Sequence, residues 1–294
     1  MACYHQAYMA SQKSDEPLIS YPLRAAVGLS VIHLCALAVF LPGMFSWSGL
    51  LVAFVLYWVT GAFGITLSFH RLLTHRSMKI WKPLEYVFGL FGTLALQGGP
   101  VEWVAIHRAH HAHTDKPGDP HDVNKGLTWA HLVWLVRRND AIPSVDEQRR
   151  LAADVAGEPY YAMLERMHVP LQIVLGVALF LMGGWSWVVL GIFVRLVATY
   201  HITWLVNSAS HHSGYRTYRT TDKSTNNWVV GLLAWGEGWH NNHHAFPSSA
   251  RHGLGRFEID TTWWVIRGLE LLRLAKDVKV PSSALRARYA LVQD

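Results

Sequence analysis

The chain has 294 residues, 51% of them hydrophobic and 14 of them Trp, with only 16% charged and a mean hydropathy of +0.15. That balance falls outside the range of an ordinary soluble domain, and two cysteines far apart, Cys3 and Cys35, imply neither a disulfide framework nor a thiolate metal site. The net charge of +6 is not gathered into a stripe with interleaved aromatics, so it speaks against nucleic acid and for loops that face anionic lipid.

In chain order, residues 1–22 are polar and predict a tail. They have neither the Arg-rich composition of a transit peptide nor the apolar core and cleavage site of a secretory signal. Residues 25–41 are apolar apart from Ser30 and His33, and after Pro42-Gly43 a second run, 47–69, carries no charge. Its 23 residues suffice to cross a hydrocarbon core of about 30 Å at about 1.5 Å per residue, so the two runs predict a transmembrane hairpin. The pattern recurs at 169–184 and 185–206, joined by Gly183-Gly184-Trp185. Arg195 falls in the last run, where it should face the bundle interior and bond a carboxylate or carbonyl.

The expected fold is therefore an all-α integral membrane protein. It has four transmembrane helices in two hairpins, one domain over residues 23–275, and a C-terminal tail over 276–294. Between the hairpins, residues 83–101 are interrupted by Glu85, Gly89, Gly92 and Gly98-Gly99-Pro100, which predicts an interfacial or re-entrant helix, and 115–125 reads as a loop. Both hairpin turns lack Lys and Arg, whereas residues 71–166 and those after 216 are rich in them. The positive-inside rule puts both termini and the intervening segments in the cytoplasm, where they form a helical cap.

Histidines mark that cap. His107, His110 and His111 repeat the H-x-x-H-H spacing of His240, His243 and His244, and residues i, i+3 and i+4 share a helix face. His70 with His75 ends the second apolar run, and Asn207 with His211, again i and i+4, ends the fourth. All nine histidines thus converge on one side of the membrane. Nine imidazoles exceed the needs of one transition metal and divide between two, which predicts a dimetal site. A lone histidine is usually an ordinary packing group, and His33, His131, His201 and His252 are given that role; His113 and His212 are the alternative ligands. Carboxylates should orient the imidazoles from behind, with Glu102, Asp119 and Glu237 as candidates.

The order H-x4-H, H-x2-H-H, N-x3-H, H-x2-H-H, with apolar hairpins before the first and third elements, resembles the membrane fatty-acyl desaturases. Gly64-Ile-Thr-Leu-Ser-Phe-His70, His107-Arg-Ala-His-His111, Asp119-Pro-His121, Thr203-Trp-Leu-Val-Asn207 and Gly236-Glu-Gly-Trp-His240-Asn-Asn-His-His244 are similar to the Δ9 branch, over about residues 20–275. The resemblance implies a diiron centre held by the nine histidines, with Asn207 holding one iron through water. It implies O2 as co-substrate and a cis double bond, at Δ9, as product. With no cytochrome b5 signature and no nucleotide-binding fingerprint in the chain, two electrons would come from an external donor such as ferredoxin or cytochrome b5. Where acyl-CoA desaturases carry Arg-Asp before the second box, this chain has Ala105-Ile106, which favours a lipid-bound acyl chain over acyl-CoA; restoring Arg-Asp is expected to confer acyl-CoA use.

Related enzymes end their substrate tunnel on the second span. Here Phe54, Trp58 and Ala62, spaced i, i+4, i+8, are the candidates, with Trp103 nearer the metals, and Trp58 lies roughly 18 Å before His70 along an α-helix. Two other functions compete. A membrane diiron hydroxylase would share the boxes and differ in product, and a metal transporter or sensor would place its ligands near the midplane.

Overall fold

The computed structural model describes residues 21–291, so the expected N-terminal tail lies almost wholly outside the described residues. Helix α1 (Tyr21–Ala36) runs into a tight turn at Leu37–Phe40. Helix α2 (Trp47–Tyr57) begins where the Ser46 hydroxyl accepts a hydrogen bond from Gly49 N at 3.0 Å, satisfying one of the free amides that a helix start exposes. It continues without a break into wider, π-helical turns over Trp58–Thr74. Then come α3 (Lys82–Thr93), α4 (Pro100–His113), α5 (Pro159–Val188) and α6 (Arg195–Ser208), followed by two short cap helices, α7 (His240–Ala245) and α8 (Thr261–Leu271). Two-residue strands, β1 (Lys79–Ile80) and β2 (Ala275–Lys276), pair antiparallel and are a small departure from the all-α expectation.

Among the described residues, three helical stretches are long and apolar enough to cross a membrane: Pro22–Phe40, Trp47–Thr74 and Pro159–His211. The third has 53 residues and, if straight, would run for about 80 Å. It is not straight. Gly184 has φ 66° and ψ −161°, a conformation that glycine adopts without a Cβ clash. There the chain doubles back, because Arg195 Nη2 donates to Gln172 Oε1 at 3.2 Å although a straight helix would hold the two residues about 35 Å apart. Leu179 likewise packs against Gly191, where an added Cβ would lie 2.9 Å from its methyl.

Arg195 is buried and donates only to neutral oxygens in the described residues: Gly191 O at 3.0 Å, Leu94 O at 2.8 Å, Thr60 Oγ1 at 3.4 Å and the Gln172 amide. Leu94 caps the C-terminal end of α3, where the helix dipole favours a cation, so the guanidinium ties α3 to the doubled-back helices. Of the two partners expected for it, carbonyls are the ones found. Helix α3 also meets the second apolar stretch backbone to backbone: a Cβ on Gly64 would sit 2.4 Å from Gly92 N. Small residues permit this approach where two helices have no water to exclude between them.

Below this contact lies the main core, built from Leu67, Phe69, Val104, Ala105, Tyr161 and Leu164. Glu165 on α5 completes the placement of α4, since its carboxylate accepts Val101 N at 2.7 Å and Glu102 N at 3.4 Å at the helix start. A negative group there complements the helix dipole and the free amides. The helix that carries the second histidine box is therefore held at its first turn, leaving its last turn to face the cap. Val31 and Leu34 on α1, Phe40 in the turn after it, Leu51 on α2, and Ile173 and Leu181 on α5 are large apolar residues left exposed.

Candidate metal centre

The nine histidines singled out by spacing come together in two sets. His70, His75, His107, His111 and His243 place one ring nitrogen each within 4.8 Å of one another, and so do His110, His211, His240 and His244. Each H-x-x-H-H run is split. On α4, His107 and His111, one turn apart, serve the first set while His110 turns to the second. On α7 the assignment is reversed, with His240 and His244 in the second set and His243 in the first. The two helices thus exchange a histidine, and one box cannot be placed without the other.

His70 and His75 reach the same set for a different reason. In an α-helix, residues i and i+5 diverge by about 140°. In this segment His75 N donates to His70 O at 3.1 Å, an i to i+5 bond, so the π-helical winding brings the two rings to one side. Short α7 is anchored by the two residues between its histidines: Asn241 Oδ1 accepts Thr217 N and Tyr218 N, each at 2.8 Å, and Asn242 Nδ2 donates to His252 O at 2.9 Å.

Behind the imidazoles stand oxygens. His110 Nδ1 lies 3.0 Å from Asp119, His211 Nδ1 3.0 Å from Asp115, His244 Nδ1 3.1 Å from Asp222, His240 Nδ1 3.2 Å from Glu237 O, and His70 Nδ1 2.6 Å from Glu237 Oε2. A ring that donates from Nδ1 presents a lone pair at Nε2. His240 Nε2 and His244 Nε2 are 3.1 Å apart, and both rings donate on their far side, so no proton is left to join them. His70 Nε2 and His243 Nε2 are 3.1 Å apart, and His243 Nε2 and His111 Nε2 3.0 Å. His75 Nε2, His110 Nε2 and His211 Nε2 are buried without a partner in the described residues. The lone pairs that His240 and His244 turn toward each other, and the unpartnered Nε2 atoms of His75, His110 and His211, suit a cation, and the donor sets fit two.

Burial, reinforced by the neighbouring imidazoles, holds His107, His110, His111, His240 and His243 well below the ordinary histidine value of 6.5. They are neutral at pH 7, as metal ligands must be. Burial opposes ionisation of Glu237 and Asp222, but His70, His252 and Arg71 hold Glu237 well below the usual carboxylate range, and bonds from His244 and Ser224 do the same for Asp222.

This geometry coincides with a sequence family. The profile described as "Fatty acid desaturase" matches residues 45–263, well over half of the chain. The chain belongs to that family. It is 53% identical over 249 residues to the sn-1 stearoyl-lipid 9-desaturase of Anabaena variabilis, covering 85% of this chain and 90% of the relative. To the sn-1 stearoyl-lipid 9-desaturase of Synechocystis sp. it is 49% identical over 259 residues, with 88% and 80% covered. The acyl-CoA C20 Delta5-desaturase of Anemone leveillei is also 49% identical over 249 residues, with 84% and 78% covered. The protein is thus a fatty acid desaturase, an oxidoreductase with histidine clusters that can bind metal.

In this desaturase the alternative ligands are turned away. His113 and His212 are exposed, and Asn207 is half-buried one turn before His211. Asp119 and Glu237 stand behind the imidazoles of His110 and His70, and Glu102 lies in the first turn of α4 near Gly98. Sequence reasoning missed Asp115 and Asp222, which sit in loops far along the chain from the histidines they hold. It also passed over His121, buried 4.2 Å from the His110 ring, and His252, buried 4.5 Å from the His243 ring.

His33, His201 and His131 bond to one another at 3.1 and 3.0 Å, outside both sets. Trp103 stacks on His107 with ring centres 5.1 Å apart. Trp58 is half-buried, 6.1 Å from the Trp235 ring, but Phe54 is 59% exposed and Ala62 is buried, so the three do not share one environment. The change from α to π winding at Trp58 moves the face, and the rise of an α-helix does not apply between Trp58 and His70. A cleft of about 340 Å³ lined by His75, His111, His244, Arg108, Lys116 and Asp222 opens onto both sets.

Proposed function

We propose that this desaturase uses O2 to introduce a cis double bond, at Δ9, into a saturated acyl chain esterified in a membrane lipid. The nine histidines, with Asn207 through water, hold two irons. The observation that carries this reading is the division of the imidazoles into sets of five and four, with one ring nitrogen from each residue converging within 4.8 Å in each set. Removing hydrogen from an unactivated methylene needs a redox-active metal, which iron supplies and zinc does not. The balance is one saturated chain, O2, two electrons and two protons giving one unsaturated chain and two waters. The electrons come from an external donor such as ferredoxin or cytochrome b5, and a basic cap favours an acidic one.

The reversal at Gly184 supports four membrane crossings within one domain, with both termini and the histidines on the cytoplasmic side. The apolar helices hold the acyl chain away from water, with Trp58 limiting its depth and Trp103 beside the metals. Two of the relatives named above are stearoyl-lipid enzymes, and Ala105-Ile106 in place of the Arg-Asp pair of the acyl-CoA enzymes also favours a lipid-bound substrate.

The test is expression in a host that lacks unsaturated fatty acids, followed by mapping of double bonds in each lipid class. Δ9 unsaturation appearing first in glycerolipid supports the reading. Hydroxylated chains, or turnover of acyl-CoA ahead of lipid, would overturn it.

A further inference from the structure

Behind the first set of histidines, the buried carboxylate of Glu237 is shared in an unequal way. Its Oε1 accepts Arg71 Nε at 3.1 Å and Arg71 Nη2 at 3.0 Å. Elsewhere Nη1 donates to Ala250 O at 2.8 Å and to Asp260 Oδ2 at 3.0 Å, and Nη2 makes an ion-pair contact with Asp260 Oδ1 at 3.0 Å. None of the Arg71 hydrogen bonds goes to Glu237 Oε2. That oxygen faces His70 Nδ1 at 2.6 Å and, from another side, His252 Nδ1 at 3.2 Å.

We propose that His252 is a positioning residue: by bracketing Glu237 Oε2 it fixes the carboxylate that orients the His70 ring, and through it the geometry of the five-imidazole set. The inference rests on the two-metal reading above. His252 is completely buried and lies outside the five- and four-imidazole sets, although it, His70 and Glu237 bring one donor atom each within 4.8 Å of one another. Its own place is determined on every side. The backbone N–H donates to Asp260 Oδ2 at 2.7 Å, the carbonyl accepts from Asn242 on α7, and the ring packs 4.5 Å from His243 and 5.4 Å from His70. Its Nε2 has no partner among the described residues, and the ring's one close polar approach is Nδ1 to Glu237 Oε2 at 3.2 Å, an electrostatic contact between two buried atoms that have no aligned hydrogen bond of their own.

Without that contact, Oε2 loses one of the two imidazoles that flank it while Arg71 still holds Oε1, and the carboxylate can rotate about the held oxygen. The His70 ring would follow it. Loss of a group that orients a metal-bound histidine typically weakens metal binding 10–100-fold. Asn at 252 places an amide N–H close to the position of the imidazole Nδ1–H and should preserve the effect, whereas Leu fills the space without donating.

The experiment uses full-length wild-type, His252→Leu and His252→Asn protein in detergent. Cobalt(II) affinity is measured by chelator competition, the visible spectrum of the cobalt-loaded site is recorded, and thermal unfolding is followed without metal. Expected is one cobalt of two bound about 10–100-fold more weakly in His252→Leu, with a changed spectrum. His252→Asn should stay near wild type, and the metal-free melts of the two variants should be alike. The inference is overturned if His252→Leu keeps wild-type affinity and spectrum, if Asn fails as badly as Leu, or if the metal-free Leu variant melts far below the Asn variant. Wild type that takes up fewer than two cobalt ions overturns the two-metal reading and this inference with it. Wild type with two ions and an indifferent His252→Leu sinks this inference alone.

Discussion

A buried imidazole is useful to a metal only while it is neutral, and the residues of this site are arranged to keep it so. Burial and neighbouring rings hold His107, His110, His111, His240 and His243 below 6.5. An unfolded chain protonates these rings below about 6.5, while the folded chain resists, so the unfolded state binds more protons in acid. The stability of the metal-free protein should therefore be complete above about pH 6.5 and fall as the pH drops below it. Thermal melts between pH 7.5 and pH 5 check the sign, and a flat profile would mean that the rings protonate without cost in the fold. The reciprocal division of the boxes makes a second outcome specific. His110→Ala and His240→Ala should each weaken the second metal, His107→Ala and His243→Ala the first, as read from bound metal per chain with the protein still in the membrane.

At the level of the element, the spacing of the first box follows from winding. Histidines five apart share a side only in π-helical turns, and the stretch Trp58–Thr74 supplies them. That stretch is also pressed against α3 at Gly64, where an added Cβ would meet Gly92 N at 2.4 Å, a backbone atom that cannot swing aside. Gly64→Ala should destabilise by about 1–3 kcal/mol or more and lower bound metal, because the helix that bears His70 must shift. Gly28→Ala on α1, with nothing within 4 Å of the new methyl, is the control and should be neutral or slightly stabilising in the same detergent melts. On the same stretch, Trp58→Ala should move products toward longer chains if this ring limits the depth of the acyl site. An unchanged chain-length ratio with mixed substrates would leave Trp58 as a packing partner of Trp235.

For the molecule as a whole, the choice of acyl carrier is bound up with packing. The sequence suggested that Arg-Asp at 105–106 would confer acyl-CoA use, but Ala105 is completely buried in the main core and Ile106 is 9% exposed. An Arg there would be a buried cation without a partner, at a cost of several kcal/mol. The Ala105→Arg, Ile106→Asp double variant should accordingly lose folded yield in the membrane, measured by size-exclusion profile in detergent, before any gain of acyl-CoA turnover. Carrier specificity in this chain has to be altered by changing the packing around α4 as well as the two residues on it.

What was legible in the sequence was what repeats locally. Apolar runs of spanning length, the glycines of the turn at 183–184 and the i, i+3, i+4 spacing of the boxes are properties of neighbours along the chain, and helical periodicity turns them directly into faces. Seven of the nine histidines and the preference for His211 over His212 followed from that, whereas His70 and His75, five apart, share a side only through the π-helical winding that the fold imposes. Which imidazole joins which set did not, because adjacent histidines on one helix can point to either side of a shared face, and the choice depends on where the other helices lie. Asp115, Asp222 and His252 were invisible for the same reason: each meets its partner across a chain distance that no local period spans. His252 reads as an ordinary packing group until Arg71, Glu237 and Asp260 are brought around it, since only the folded core decides which buried hydrogens remain to be shared.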